Sequence, residues 1–322
     1  MGKDLRLYSK IFSRLRVSRS WGTAPHKPIL LLAVIELIGQ GTLRQNQVYL
    51  SPELIAAFLK YWTRLGTESH RSDIALPFFH MQSEGFWHLK ANPGFELVLS
   101  SRVRLKTIAA LKDAVLYAFL DDELFNLLQD PTARTVLTTV LVTSWFSDRV
   151  VQIEGLLQIN SFQDLQDRLQ KEGGAVYRPE DLEDEAELVV RDAAFRRIVV
   201  SVYEHRCAFC GMQVFSSLNQ SIVDGAHIMP FSKFRDDRIN NGLSLCKNHH
   251  WAFDRGWFSI NDDFRILVSN DLRERSPNAK PMEEFHGERL LVPIQEKYMP
   301  RPEALRWHRE NVFNSLVPPP SP

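Results

Sequence analysis

Cys207 and Cys210 are separated by two residues, and Cys246 and His249 repeat that spacing further along the chain. Two such pairs supply four soft ligands in two knuckles, the donor set of a tetrahedral zinc site. A site with four protein ligands is closed, so zinc held there staples the fold and does not itself polarise a substrate. Interleaved with this set are His227, Asn241 and His250, none of which a staple needs. His249 and His250 are neighbours in a stretch expected to be helical, so their side chains diverge by roughly 100°. With His249 beside Cys246, His250 must face elsewhere. Asp254 lies four residues on, shares the His250 face, and can orient that imidazole or line the same site. A histidine able to take a proton, and a second one beside a carboxylate, are parts suited to metal-assisted hydrolysis.

The elements that must position these residues can be read from pattern. Leu188 to Tyr203 forms a helix leading directly into Cys207, and Gly256 to Ser269 forms a short hairpin turning at Asn261-Asp262-Asp263. A last helix runs from Pro302 to Phe313, ahead of the frayed tail Pro318-Pro319-Pro320. Earlier, Ser51-Pro52-Glu53 supplies a capping hydroxyl, a proline at the first helical position and an early acid, so a helix runs to Leu65 before Gly66. Another follows Pro28 and ends at Gly39. Strands are expected at Phe86 to Leu89, at Phe95 to Leu99 after an Asn92-Pro93-Gly94 turn, and at Arg102 to Lys106. Alternation in the last of these sets Arg102, Arg104 and Lys106 on one face. Leu111 to Leu128 and Thr132 to Phe146 read as apolar helices, so the N-terminal half mixes α and β.

A chain of 322 residues can build two domains, each with its own core. Hydrophobic residues at 44% and charged residues at 24% describe a globular chain and not a disordered one. The longest apolar stretch, Ile29 to Ile38, includes Glu36 and is far short of the ~20 residues that span a bilayer. No membrane segment is expected. The N-terminus Met-Gly-Lys-Asp-Leu-Arg has no apolar signal core, which points to the cytoplasm, and three cysteines, two of them in a CxxC, favour metal ligation over disulfides. Lys+Arg and Asp+Glu are equal at 39 each, so total charge does not announce a nucleic acid. Distribution says more: residues 1 to 30 hold seven bases against one acid, whereas Glu180 to Glu187 holds six acids and no base. A neutral sum can therefore conceal a basic face that meets phosphates, although a charge cluster alone is as readily a solvated helix face. Gly173-Gly174 and the acidic run mark a linker, placing domains at 1–170 and 188–322 with 171–187 between them.

The order Ala226-His227-Ile228, Asn241-Gly242-Leu243-Ser244-Leu245-Cys246 and His250-Trp251-Ala252-Phe253-Asp254-Arg255-Gly256 resembles the HNH nucleases of the ββα-metal class, in particular their restriction-type subgroup. The likeness covers roughly Val200 to Ile260. By that resemblance His227 is the general base that activates water, Asn241 holds the loop and the His227 ring in place, and His250 binds a catalytic divalent cation, Mg²⁺ or Mn²⁺. In-line attack on a phosphodiester needs a deprotonated water and a cation that neutralises the phosphorane and the leaving oxygen. Many members carry an Asp directly before the base histidine as second metal ligand, and this chain has Ala226 there. In a regular strand Asp224 shares the face of Ala226, which makes Asp224 the candidate second ligand; a bulge at Gly225 would undo that inference.

A nuclease core of this size discriminates little between sequences, so the preceding domain is expected to choose the target. The run Arg19-Ser20-Trp21-Gly22-Thr23-Ala24-Pro25-His26-Lys27-Pro28, together with Leu76-Pro77-Phe78-Phe79-His80 and the Arg102/Arg104 strand, resembles the sulfur-binding domain of McrA-like, modification-dependent restriction enzymes. Such domains recognise phosphorothioate DNA. Sulfur is larger, softer and less hydrated than oxygen, so an apolar pocket beside cations can prefer it. On this resemblance Pro77, Phe78 and His80 form the pocket, and Arg19, His26, Lys27, Arg102 and Arg104 supply phosphate and base contacts. Leu76 stands where the domain carries an aromatic residue.

The expected fold class is α+β in two domains, a mixed α/β DNA-reading domain and a zinc-stapled ββα-metal HNH domain. The expected function is cleavage of phosphorothioate-modified double-stranded DNA by a homodimer, whose twofold axis matches that of the duplex. Two rivals stand beside it: an HNH nuclease reading methylated or unmodified DNA, and a non-catalytic zinc-stapled DNA-binding protein.

Overall fold

A computed structural model describes residues 3–100, 105–149, 156, 159–214, 216, 221–275 and 279–313. The chain divides into two compact units: Met1–Asp164 with Leu182–Val190, and Leu165–Asp181 with Arg191–Pro322.

The N-terminal unit is built around one buried helix. Helix α1 (Leu5–Phe12) starts at Asp4, whose carboxylate accepts from Leu7 N at 2.9 Å. Helix α2 (His26–Gly39) is apolar on every side and buried from Lys27 to Ile38, as a helix without a polar face must be. Around it pack α3 (Pro52–Leu65), α4 (Ala75–His80) and the later helix Pro131–Trp145, which also packs on α1. The α3 start is as expected, with the Ser51 hydroxyl accepting from Leu54 N and Pro52 in the first turn. Strand β1 (Trp87–Ala91) pairs antiparallel with β2 (Val115–Leu120), Trp87 opposite Leu120 and His88 opposite Phe119.

Two expectations fail in this unit. The Phe95 to Leu99 run is not a strand but a short helix, α5 (Glu96–Ser100). The Glu96 carboxylate accepts from Gly94 N at 3.1 Å, an acid stabilising the turn that opens the helix, and Leu97 is 83% exposed. The expected helix from Leu111 to Leu128 is three elements: α6 (Ile108–Ala114), strand β2, and α7 (Asp122–Leu127). Val-Leu-Tyr-Ala-Phe-Leu is rich in residues that suit a pleated surface, and pairing to β1 buries Val115, Ala118 and Leu120. Helix α8 (Pro131–Trp145) follows, capped by Asp130, and α9 (Ser161–Glu172) spans the change from one unit to the other. The expected strand at Arg102 to Lys106 falls largely outside the described residues, as does the tail.

In the C-terminal unit, α10 (Glu185–Val202) contributes Phe195, Ile198 and Val199 to the core. Strands β3 (Val223–His227) and β4 (Gly242–Cys246) pair antiparallel, Asp224 opposite Leu245 and His227 opposite Gly242, with the short α11 (Phe231–Phe234) between them. Their register runs through Gly225 without a bulge. Gly225 is required for another reason: a Cβ there would lie 2.7 Å from Arg196 Cα, so the strand can approach α10 only without a side chain. Helix α12 (Lys247–Asp254) follows β4 directly, and the hairpin β5 (Phe258–Ile260) and β6 (Ile266–Val268) closes the core. Helix α13 (Pro302–His308) passes into a π turn at Arg309–Phe313. Its His308 is buried and stacks on Phe253 at 3.7 Å, donating from Nε2 to Phe253 O while Nδ1 meets the Ser259 hydroxyl. Burial lowers its pKa to about 4.

The segment around Gly174 is built into this unit. Ile239 N donates to Gly173 O at 3.0 Å, Asp237 N to Ala175 O at 2.8 Å and Tyr177 N to Arg235 O at 2.9 Å. Gly174 has φ +94°, and a Cβ on it would lie 2.6 Å from Arg238 Cα.

Candidate active site and metal centre

Cys207, Cys210, Cys246 and His249 converge, their ligand atoms all within 4.8 Å of one another. The first knuckle is a turn in which Gly211 N donates to Cys207 O; the second is the junction of β4 and α12. His249 Nδ1 lies 3.1 Å from Cys246 Sγ and 3.6 Å from Cys207 Sγ. Tetrahedral zinc with bonds of about 2.0–2.3 Å holds its ligands roughly 3.5 Å apart, so the donor set and spacing fit zinc. Hydrogen bonds from Cys207 and Cys210 hold the Cys246 thiol well below its usual range, while contacts with Cys210 and Cys246 push Cys207 up. Cys246 is therefore the thiol that most readily gives the thiolate a metal needs. Phe209 stacks on the His249 ring at 4.1 Å.

At the end of β3, opposite Gly242, His227 is held from three directions. Its ring stacks flat on Phe195, 3.9 Å between centroids and 8° between planes, with Phe231 at 5.8 Å. Nε2 lies 2.7 Å from Asp237 Oδ1, and the second oxygen of Asp237 pairs with the Arg191 guanidinium. Arg191 in turn covers the Phe231 ring at 3.5 Å. Asn241 is fully buried, and its side-chain hydrogen bonds go to the loop backbone and not to the His227 ring. Its Nδ2 donates to Met229 O and Asp236 O, and its Oδ1 accepts from Met229 N, so it laces the loop between β3 and β4 into one shape. Asp236 is fixed separately by Arg238 and Arg301.

His250 points away from the cysteines. Asp224 Oδ2 is 3.8 Å from its Nδ1 and Asp254 Oδ2 is 3.7 Å from its Nε2. Burial lowers the His250 pKa against the pull of Asp254 and Asp224. Asp224 is bound by Arg196 at 3.0 Å and Lys247 at 3.1 Å, which keep its carboxyl below the usual range although burial opposes them. One imidazole flanked by two carboxylates is a nitrogen and oxygen donor set suited to Mg²⁺ or Mn²⁺. Asp224 and Asp254 flank opposite ring nitrogens, so one ion at one nitrogen takes one of them.

The residues expected to meet DNA are scattered through the N-terminal unit. Arg19 is exposed on the loop before α2, next to Trp21, which is 78% exposed. His26 opens α2; its Nε2 donates to Arg71 O at 2.8 Å, its ring packs on Trp62, and burial lowers its pKa. His80 is exposed at the end of α4, and Pro77 is buried within it. Two assignments are corrected. Lys27 is buried and its ammonium is spent on Glu84 and Ser83, so it is not available to a phosphate. Phe78 is 1% exposed, edge-on to Trp87 with its carbonyl accepting from Trp87 Nε1, which leaves no face for sulfur. Arg102 and Arg104 lie outside the described residues.

Sequence reasoning missed Asp237, Arg191 and Phe195. The available signal was Asp236-Asp237, a carboxylate pair in the loop between the candidate base and Asn241.

Comparison with known families agrees with this division. Residues 207–261 match the model of an HNH endonuclease, HNH_2, which sets the class of the C-terminal site. Residues 6–159 match the ScoMcrA-like DNA sulfur-binding domain. The chain thus carries a region similar to the ScoMcrA-like DNA sulfur-binding domain, followed by one similar to the HNH_2 endonuclease model. Among solved structures, the modification-dependent TagI restriction endonuclease is 24% identical at TM-score 0.29, covering 38% of this chain, which spans only 39% of that one. The sulfur-binding domain of ScoMcrA, solved with phosphorothioated DNA, is 23% identical at TM-score 0.37, covering 46% of this chain and 93% of that one. ScoMcrA itself, a type IV phosphorothioation-dependent restriction endonuclease, is 14% identical at TM-score 0.33, covering 76% of this chain and 93% of that one. No curated protein matches the chain. No helix among the described residues is long and apolar enough to cross a membrane.

Proposed function

We propose that the protein is a modification-dependent, type IV restriction endonuclease that binds phosphorothioate-modified double-stranded DNA and hydrolyses phosphodiester bonds nearby. The observation that carries the cutting half is His227: an imidazole fixed by stacking and by one hydrogen bond, whose Nδ1 makes no hydrogen bond among the described residues. The matched sulfur-binding domain supports the reading half.

In this reading His227 takes a proton from water. The water oxygen forms the new bond to phosphorus, the bond to the leaving sugar oxygen breaks with its electron pair, and solvent protonates that oxygen. His250, with Asp224 or Asp254, would hold Mg²⁺ or Mn²⁺, which when bound neutralises charge on the phosphorane and leaving oxygen. Asn241 keeps the intervening loop in shape. Zinc at Cys207, Cys210, Cys246 and His249 is structural. Arg19, His26 and His80, with the buried Pro77, are the described candidates for DNA and sulfur contact, and Arg102 and Arg104 are further candidates from the sequence. Reading is assigned to residues 1–170, cutting to 188–322, and the changeover to 171–187. The enzyme acts in the cytoplasm as a homodimer, one active site for each strand.

The test is cleavage of matched plasmids with and without phosphorothioate, in Mg²⁺ and in Mn²⁺. Only the modified plasmid should be cut; equal cutting of both removes sulfur recognition. His227→Ala should lower the rate by about 10²–10⁴-fold with zinc content unchanged, and full activity in that variant would remove the base assignment.

A further inference from the structure

We infer that Asp237 is a positioning residue that sets the tautomer of His227 and thereby makes Nδ1 the nitrogen that accepts the water proton; this rests on the nuclease reading above. A carboxylate can only accept, so the 2.7 Å contact to Asp237 Oδ1 places the imidazole proton on Nε2. In the neutral ring the lone pair is then on Nδ1. Once Nδ1 takes a proton, the same carboxylate stabilises the imidazolium, the division of labour a buried acid performs behind a histidine base in unrelated hydrolases.

The carboxylate is itself prevented from turning. Asp237 is 2% exposed, its backbone N–H is tied to Ala175 O, and its other oxygen is taken by Arg191. Arg191 is 8% exposed and pressed on Phe231. His227, lying flat on Phe195, cannot swing to another partner. Asp254 also carries charge into the neighbourhood of His227, but it contacts His250 and not this ring. Asp237 and the His227 ring are thus fixed in place, while His227 Nδ1 makes no hydrogen bond among the described residues and Arg191 Nε is buried without one.

The arrangement forecasts a specific failure in Asp237→Asn. Arg191 can only donate, so it claims the amide oxygen and turns the Asn NH2 toward Nε2. Nε2 must then accept, the ring proton moves to Nδ1, and the base is blocked while its position is unchanged.

The experiment uses the full-length, zinc-loaded chain labelled with [15N]histidine, its His227 resonances assigned as those lost in His227→Gln. Long-range 1H–15N correlation of the wild type at neutral pH should show the Nε2-protonated pattern for His227, and Asp237→Asn should convert it to the Nδ1-protonated one. In parallel, the cleavage rate of phosphorothioate plasmid in Mn²⁺ should fall by about 10²–10⁴-fold, with affinity for that DNA and zinc stoichiometry within twofold of wild type. A wild-type ring protonated on Nδ1, or Asp237→Asn cutting within threefold of wild type, overturns the inference. If the lone Arg191 prevents Asp237→Asn from folding, the wild-type spectrum still decides. A wild type that cuts no plasmid but shows the Nε2-protonated ring refutes the nuclease reading and leaves the hydrogen bond standing.

Discussion

Each unit buries a carboxylate against a cation, and the two are finished differently. In the N-terminal unit Glu36 receives Lys60 at 2.5 Å, the Tyr61 hydroxyl at 2.6 Å and Gln40 at 3.0 Å, and Lys60 goes on to the carbonyls of Leu156 and Ile159. Every polar atom there ends on another part of the same unit. In the C-terminal unit Asp237 receives Arg191 and His227, and the row ends on an imidazole nitrogen with no protein partner among the described residues. Burial of charge is common to both, so burial alone does not mark a reactive group. On the proposed reading, an open position at the end of a fixed row does. Closed clusters should therefore cost stability when broken, and open ones should cost rate.

The zinc cluster is the strongest case of closure, and losing its ion should have the largest effect. Structural zinc contributes an apparent ~10–16 kcal/mol in small zinc domains. Cys246→Ala should therefore lose stoichiometric zinc and the cooperative unfolding transition of the C-terminal unit, while the N-terminal unit keeps its own; metal analysis and circular dichroism check both. A C-terminal unit that still unfolds cooperatively without zinc would show that its apolar core suffices.

Next in size is Lys60→Met, which strands the buried Glu36 and should cost about 3–5 kcal/mol in urea denaturation. Turnover per folded molecule should be unchanged. A lower rate among folded molecules would break the contrast between closed and open clusters.

The smallest effect tests a buried group that is neutral. Burial lowers His308 from the ordinary 6.5 to about 4, so the unfolded chain binds a proton more readily than the folded one between those values. Stability from this residue is complete above pH 6.5 and is lost as pH falls toward 4, by about 3 kcal/mol in all. Urea midpoints for wild type and His308→Gln should converge on acidification; parallel curves would assign the acid sensitivity elsewhere.

What the sequence disclosed follows distance along the chain. The CxxC and CxxH pairs, the divergence of His249 from His250 and the Ser51 cap depend on neighbours within a turn, and pattern reveals them. Contacts closed by a loop were hidden. Nothing in the order of residues shows that Asp237 folds back onto His227, because that depends on how Asn241 laces the intervening backbone. Lys27 read as a DNA contact because Glu84, its partner, is 57 residues away. Val115 to Leu120 read as helix because its strand character depends on β1 lying beside it, and propensity is weak against such pairing.

The short segment that clasps residues 235–239 lies well ahead of the matched nuclease region and has a practical meaning for where this chain can be divided. Residues 173–177 hold the backbone of Asp237 and approach it so closely that only Gly174 fits. A protease cutting between Tyr177 and Leu188, or an expression plasmid beginning there, would release a fragment that keeps every zinc ligand and both active-site histidines. It would lack the strut beneath the carboxylate. On the proposed reading, a fragment that starts after Tyr177 should cut more slowly than the whole chain although it holds every zinc ligand and both histidines.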